Sequence, residues 1–99
     1  EKLEKLSDSE LLMAFDQAPS YQVSRAELAK GISLKDLLVK INAFSSKGEA
    51  KRKIREGGVY LNNQRIVDQD YQLGLKDLAS EHFLLLRAGK KNYHLIRVD

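Results

Sequence analysis

"FSSKGEAKRKIREGGVYLNN", residues 44–63, contains the change of period on which the fold turns. Ala50 and Ile54 stand four residues apart, the spacing of one helix face, and charged residues occupy most of the rest of the turn. Ser46 and Glu49 form an S-x-x-E capping pattern, and Gly57-Gly58 stands where a left-handed C-terminal cap belongs. The spacing therefore predicts a helix near 47–56. Val59-Tyr60-Leu61 then favours a strand, Asn62-Asn63 a turn that tolerates positive φ, and Gln64-Arg65-Ile66-Val67 a returning strand.

Working outward, Leu34, Leu37, Leu38, Ile41 and Phe44 recur at helical spacing behind Ser33, which with Asp36 makes an S-x-x-D capping pattern. That stripe is expected to face the core. Leu3, Leu6, Leu11, Leu12 and Phe15 predict an N-terminal amphipathic helix, capped near Ser7 or Asp8 and stopped by Pro19. "SYQVSRAEL", residues 20–28, reads as extended chain followed by a short helix. Residues 68–81 read as a loop with Leu73, Leu75 and Leu78 as anchors and Asp68 and Asp70 as turn formers. "HFLLLRAGKKNYHLIRV", residues 82–98, reads as two strands around a Gly89-Lys90-Lys91-Asn92 turn. The elements predict an α+β fold, N-terminal helices packed on a small, mostly antiparallel sheet. Residues 1–30 form the N-terminal helix and lead-in of the same domain, and residues 31–99 its core.

Ninety-nine residues suit one domain with one modest core, and a 42% hydrophobic, 31% charged composition is that of an ordinary globular chain. The absence of cysteine removes disulfides and thiolate metal sites and fits a reducing compartment. No apolar run approaches the roughly 20 residues of a membrane span, so no membrane partner is expected. The first residues lack the form of a signal peptide, and the chain begins without Met, as a piece of a longer protein would. The net charge of +3 is uneven: residues 1–30 carry four basic and six acidic residues, and residues 31–99 carry thirteen basic and eight acidic. The positive field thus belongs to the second part and favours polyanions.

Five of the seventeen basic residues lie between Lys47 and Arg55. On a wheel of roughly 100° per residue, Lys47, Lys51, Arg55 and Arg52 span an arc of about 140°, separate from Ala50 and Ile54. The wheel gives this arc no acidic neighbour on its own helix and pairs Lys53 with Glu49 instead. A solvated face normally mixes signs, because like charges four residues apart repel. A single-signed arc is better read as an anion-binding surface. Asn62, Asn63 and Gln64 would bring hydrogen-bonding groups beside it, and Lys90 and Lys91 would extend the charge if the sheet carries their turn close. Tyr93 has two open readings, base stacking and packing at the rim of the core.

Catalytic signatures are missing: the chain contains no G-x-x-x-x-G-K-[ST], G-x-G-x-x-G or G-x-S-x-G. His82 and His94 fall in expected strands, but no third ligand has suitable spacing for a metal. An independent enzyme is not expected, nor a metal or cofactor of its own.

"SLKDLLVKINAFSSKGEAKRKIREGGVYLNNQRI", residues 33–66, resembles the S-four-type RNA-binding domain. The resemblance rests on Ser46-Lys47, Glu49, Ala50, Lys51-Arg52, Gly57-Gly58 and Val59-Tyr60-Leu61-Asn62. Two departures are Asn63, where many relatives have glycine, and Lys53, where an aliphatic residue is common. "LLRAGKKNYHLIRV", residues 85–98, and the lead-in 14–39 are similar to the C-terminal region of bacterial-type tyrosyl-tRNA synthetases. The resemblance implies the S-four-like αL motif, in which two short helices and the following turn meet RNA. It implies tRNA, specifically tRNA(Tyr), as partner, held by its variable arm and anticodon region. Ser46, Lys47, Lys51, Arg52, Arg55, Asn62, Asn63, Gln64, Lys90 and Lys91 are the residues it places in contact. It further implies a parent tyrosine ligase that uses ATP, forms a homodimer through its catalytic part and works in the bacterial cytoplasm, with an organellar setting left open. The present chain would be monomeric and non-catalytic. Two alternatives stay open: an S-four-type module of another RNA protein (a pseudouridine synthase, a ribosomal protein or a heat-shock RNA binder), or a domain whose basic arc meets an acidic protein.

Overall fold

Phe83, Leu84, Leu85 and Leu86 are consecutive, and all four are buried. A strand alternates its side chains between two faces, so a strand buried at every position needs cover on both. The rest of the fold supplies it. The computed structural model describes residues 7–99, and Leu3 and Leu6 of the expected N-terminal stripe lie outside the described residues. In chain order the elements are α1 (Asp8–Ala14), β1 (Ser20–Val23), α2 (Arg25–Lys30), β2 (Ile32–Ser33), α3 (Leu34–Lys40), α4 (Lys47–Arg55), β3 (Val59–Leu61), β4 (Gln64–Arg65), β5 (Gln72–Leu73), a 3₁₀ turn (Leu75–Asp77), β6 (Phe83–Ala88) and β7 (Asn92–Val98).

Five strands form one sheet in the order β1-β7-β6-β3-β4, and β2 pairs with β5 in a second, two-stranded ribbon. Every pairing is antiparallel except β1 with β7, where Ser20 lies beside Leu95 and Val23 beside Val98. The fold is thus the expected α+β class, with one parallel edge added by the extended stretch that follows Pro19. On one face Leu84, Leu86, Ile96 and Val98 meet Leu28, Leu34, Leu37, Leu38, Ile41, Ala50 and Ile54 from α2 to α4. On the other, Phe83, Leu85 and Leu95 meet Leu11 of α1 and Ala79, flanked by Phe15 and Tyr93. Each fully buried leucine contributes about 2 kcal/mol relative to exposure.

Several local expectations are corrected. The stripe through Phe44 is not one helix: α3 ends at Lys40, Ile41 is its C-cap, and Asn42 turns left-handed at φ 62°. Asn42 N–H donates to Val39 O and Ala43 N–H to Leu38 O, the paired bonds of a Schellman cap. Ser33 does not cap α3 with its side chain; its Oγ is buried without a partner. Ile66 and Val67 do not continue β4, and Val67 is exposed. Leu75 is also exposed, while Leu73 and Leu78 anchor the 68–81 segment as expected. Asp68 accepts from Asp70 N–H at 2.9 Å, the turn chemistry read from the sequence. α1 ends at Ala14, five residues before Pro19, and its start is capped by a reciprocal Ser7–Glu10 box.

Seven residues make a weak helix by themselves, and α1 is fixed by its first residue. Asp8 Oδ1 accepts from Ser80 Oγ at 2.5 Å and from His82 N–H at 3.0 Å, and Oδ2 meets His82 Nδ1 at 2.6 Å. The Ser80 bond first, then those from His82, hold the Asp8 carboxyl below its ordinary value, against a partial opposing effect of burial. A carboxyl whose folded pKa is depressed stabilises the fold above its unfolded value and loses that contribution as pH falls through the folded one. Urea unfolding is therefore expected to show stability falling as the pH drops through and below the ordinary carboxylate range, and Asp8→Asn should flatten that fall. An identical acid slope in the variant would remove Asp8 as the clamp.

Candidate nucleic-acid interface

α4 is seated by Ala50 and Ile54, both fully buried. That fixes its rotation and leaves Lys47, Lys51, Arg52 and Arg55 exposed. Ser46 Oγ accepts from Glu49 N–H at 3.1 Å, but the box is not reciprocal. The Glu49 carboxylate turns instead to Ser45, accepting from its N–H at 2.9 Å and its Oγ at 3.0 Å, and these bonds lower its pKa. Glu49 is therefore not the partner of Lys53. At the other end Gly57 N–H donates to Ile54 O and Gly58 N–H to Lys53 O, closing a Schellman motif. Gly57 alone of the two glycines has positive φ, at 83°. A Cβ there would also come within 3.1 Å of Arg65 Cδ, which would have to shift slightly, but it is the positive φ that calls for glycine.

The arc is less isolated than the wheel suggests. Arg52 pairs with Glu56 at 3.6 Å, Lys53 with Glu56 at 3.9 Å, and Lys47 with Asp36 of α3 at 3.2 Å. The wheel of the expected 47–56 helix sets Glu56 nearly opposite Lys51 and Arg55, yet as C-cap it keeps helical geometry and meets Arg52 at i−4. Exposed pairs of this kind are worth about 0–1 kcal/mol. Among the described residues, Lys51 and Arg55 make no ion pair. They are four residues apart on the exposed face.

The structure brings the β6–β7 turn to this helix. Gly89 N–H donates to Gly58 O at 2.7 Å, so Lys90 and Lys91, both exposed, stand beside the C-terminal end of α4. Arg65 and Arg87, not singled out in the sequence, join them. β3 and β4 place Tyr60 opposite Arg65, and β6 places Arg87 opposite Tyr60 on its other side. The Arg87 guanidinium lies 3.8 Å from the Tyr60 ring centre, and Arg65 Nη2 donates to Tyr60 Oη at 2.9 Å. That bond, with the neighbouring charges, lowers the pKa of the Tyr60 phenol. Period-2 register across the Asn62-Asn63 turn was the available signal for this cluster.

The turn itself divides in two. Asn62 and Asn63 are left-handed, at φ 51° and 66°. The Asn62 amide is committed to the fold: Nδ2 donates to Asp77 O at 2.6 Å and Oδ1 accepts from Leu85 N–H at 3.0 Å. Asn63 is half-buried and Gln64 exposed. Among the described residues neither makes a side-chain hydrogen bond.

The two histidines do not approach each other. His94 faces Leu86 within the sheet, while His82 precedes β6 and accepts at its carbonyl from Val98. Asp8, Glu81 and His82 bring ligand-type atoms within 4.8 Å, but Asp8 is engaged there by Ser80 and His82 as the clamp of α1.

The family model described as "Tyrosine--tRNA ligase SYY-like C-terminal domain" matches residues 10–96. A tyrosine–tRNA ligase of Porphyromonas gingivalis is 43% identical over 100 residues, covering 100% of this chain and 23% of that protein. One of Bacteroides fragilis is 41% identical over 95 residues, covering 95% and 22%. The chain thus spans about a quarter of the length of these relatives. A solution structure of a tyrosyl-tRNA synthetase C-terminal domain superposes with a TM-score of 0.73 at 30% identity, covering 95% of this chain and 91% of that one.

The two turn asparagines should separate on mutation. Asn62→Ala removes two bonds from a partly buried site and replaces a residue that tolerates left-handed geometry with one that does not, for a loss of about 2–4 kcal/mol. Asn63→Ala carries the backbone strain alone, about 1–2 kcal/mol. Urea denaturation measures both, and equal losses would show that the Asn62 amide contributes nothing.

Proposed function

Since this chain belongs to the SYY-like C-terminal domain family of tyrosine–tRNA ligases, we propose that it is the part of such a ligase that grips tRNA. On this reading the tyrosine activation with ATP and the aminoacyl transfer occur in a catalytic part outside this chain. The tRNA is tRNA(Tyr), held by its variable arm and anticodon region. The domain itself is monomeric, the whole ligase is a homodimer, and its setting is the bacterial cytoplasm.

The observation that carries the proposal is the pair Lys51 and Arg55, exposed, four residues apart on α4 and without an ion pair among the described residues. Lys47 and Arg52 flank them in weak surface pairs that a phosphate can replace. Lys90, Lys91 and Arg65 continue the positive surface past the helix end. A-form RNA hides its base edges in a deep, narrow major groove, so a shallow cationic surface reads phosphate positions and shape. Ser46 caps the N-terminal end of α4 by accepting from Glu49 N–H, and the positive end of the helix there favours an anion. Asn63 and Gln64 offer amides to backbone or base edges, while Asn62 acts by holding the turn. Tethering the tRNA in this way raises the effective concentration of its acceptor end at the distant active site.

Lys51→Glu with Arg55→Glu tests this. It removes no buried contact and should weaken tRNA binding by more than about tenfold, roughly two lost phosphate contacts with added repulsion. Lys30→Glu with Lys40→Glu changes net charge by the same amount on α2 and α3 and should weaken binding far less. Wild-type affinity should fall with salt at a log–log slope of about −3 to −4, and the α4 variant should flatten it. Equal losses from the two double variants, both folded by thermal melts, would reduce the interface to net charge.

A further inference from the structure

β1 does not cover the whole outer edge of β7. Its register begins at Ser20 opposite Leu95, so the edge at Asn92–His94 is left open. The chain after α1 forms one wall of the gap and the Asn42–Ala43 turn after α3 forms the other. The result is a groove of about 600 Å³, within the range of small-ligand sites. Phe15 and Tyr93 line it as an aromatic pair, with ring centres 4.8 Å apart and planes tilted by 40°. His94 lines it too, 9% exposed, with a buried Nδ1 that has no hydrogen-bond partner among the described residues. Burial lowers the pKa of that imidazole, which therefore offers neutral hydrogen-bonding nitrogens.

The groove is continuous with the α4 surface. A second depression of about 360 Å³ runs beside Lys53, Glu56 and Gly58 and shares Ala43 and Asn92 with the first. A strand leaving a duplex on α4 thus has a path past the end of that helix to the aromatic pair. Lys91 stands on the rim as a cation for phosphate, and Asp16 on the wall as an acceptor for a base amino group. The open edge spans three residues, too short for a peptide to add a stable strand.

We propose that this groove receives an unstacked nucleotide of the bound RNA, its base against Tyr93 and Phe15 and its phosphate at Lys91. The proposal rests on the RNA-binding reading above. Unpaired bases are the part of RNA that aromatic side chains can recognise, because each presents a π face without disrupting a helix. α4 then supplies charge-dependent grip, and the groove distinguishes a duplex that continues from one that opens.

Two RNA probes separate these contributions: a blunt duplex, and the same duplex extended at both ends by unpaired nucleotides on both strands. Wild-type protein should prefer the second by about tenfold, the scale of one base–aromatic stack. Tyr93→Leu should lose that preference while keeping its affinity for the blunt duplex. Tyr93→Phe, which keeps the ring, should retain the preference. Lys91→Glu, an exposed change that cannot disturb the core, should lower it. No preference in the wild type, or an undiminished one in both Tyr93→Leu and Lys91→Glu, overturns the groove assignment while leaving the α4 reading intact. Failure of the wild type to bind either probe overturns the RNA-binding reading and the groove with it.

Discussion

Burial of β6 on both faces is the constraint from which the rest of the structure follows. Four successive apolar side chains cannot face water on either side of the sheet. One face is closed by α2, α3 and α4, the other by α1 and the segment before β6. The helical layer must offer β6 an apolar stripe, and α4 does so with a small residue and a branched one, Ala50 and Ile54. This narrow contact lets a nine-residue helix lie close to the sheet while most of its circumference stays in water. The exposed cationic face is therefore a consequence of how little of α4 the core requires.

Electrostatics at that face is arranged unevenly. Lys47 reaches back to Asp36, which ties α4 to α3, and Arg52 and Lys53 share Glu56 at the helix end. Solvent screening keeps each such link below about 1 kcal/mol. Cations near a helix C-terminus also interact favourably with its dipole, which offsets part of the repulsion among Arg52, Lys53 and Arg55. Among the described residues Lys51 and Arg55 gain no such pairing, and their charges stay uncompensated.

The sequence made legible the features that depend on near neighbours: the Ser7 helix start, the Gly57 cap, the Asn62-Asn63 turn and the β6–β7 hairpin. It was less informative where a residue had to choose between partners. Glu49 had Ser46, Lys53 and Ser45 within reach, and the geometry of the preceding turn favoured Ser45. Asn42 was hidden in a stripe that looked helical through Phe44, because a left-handed asparagine can end a helix while the apolar spacing continues on the far side. The parallel β1–β7 edge and the Arg65–Tyr60–Arg87 stack depend on sheet order, which no local spacing specifies. Basic residues of α4 were visible as a group; the cations that join them from β4, β6 and the β6–β7 turn became part of the same surface only through the fold.

On the proposed RNA-binding reading the surface must keep some donors uncommitted, and a fold this small must commit most of its own. Here the two demands are met by different residues of the same types. Asn62 gives both ends of its amide to the backbone of Asp77 and Leu85, while Asn63, next in sequence, gives neither. Arg87 donates to the carbonyls of Gly89 and Lys90 and lies on Tyr60, which shapes the turn that presents Lys90 and Lys91. Arg55, of the same chemistry, makes no ion pair among the described residues. Position in the fold, more than residue type, decides which groups hold the structure and which stay uncommitted. The set proposed to face the partner is the one whose charges can be reversed without opening the core.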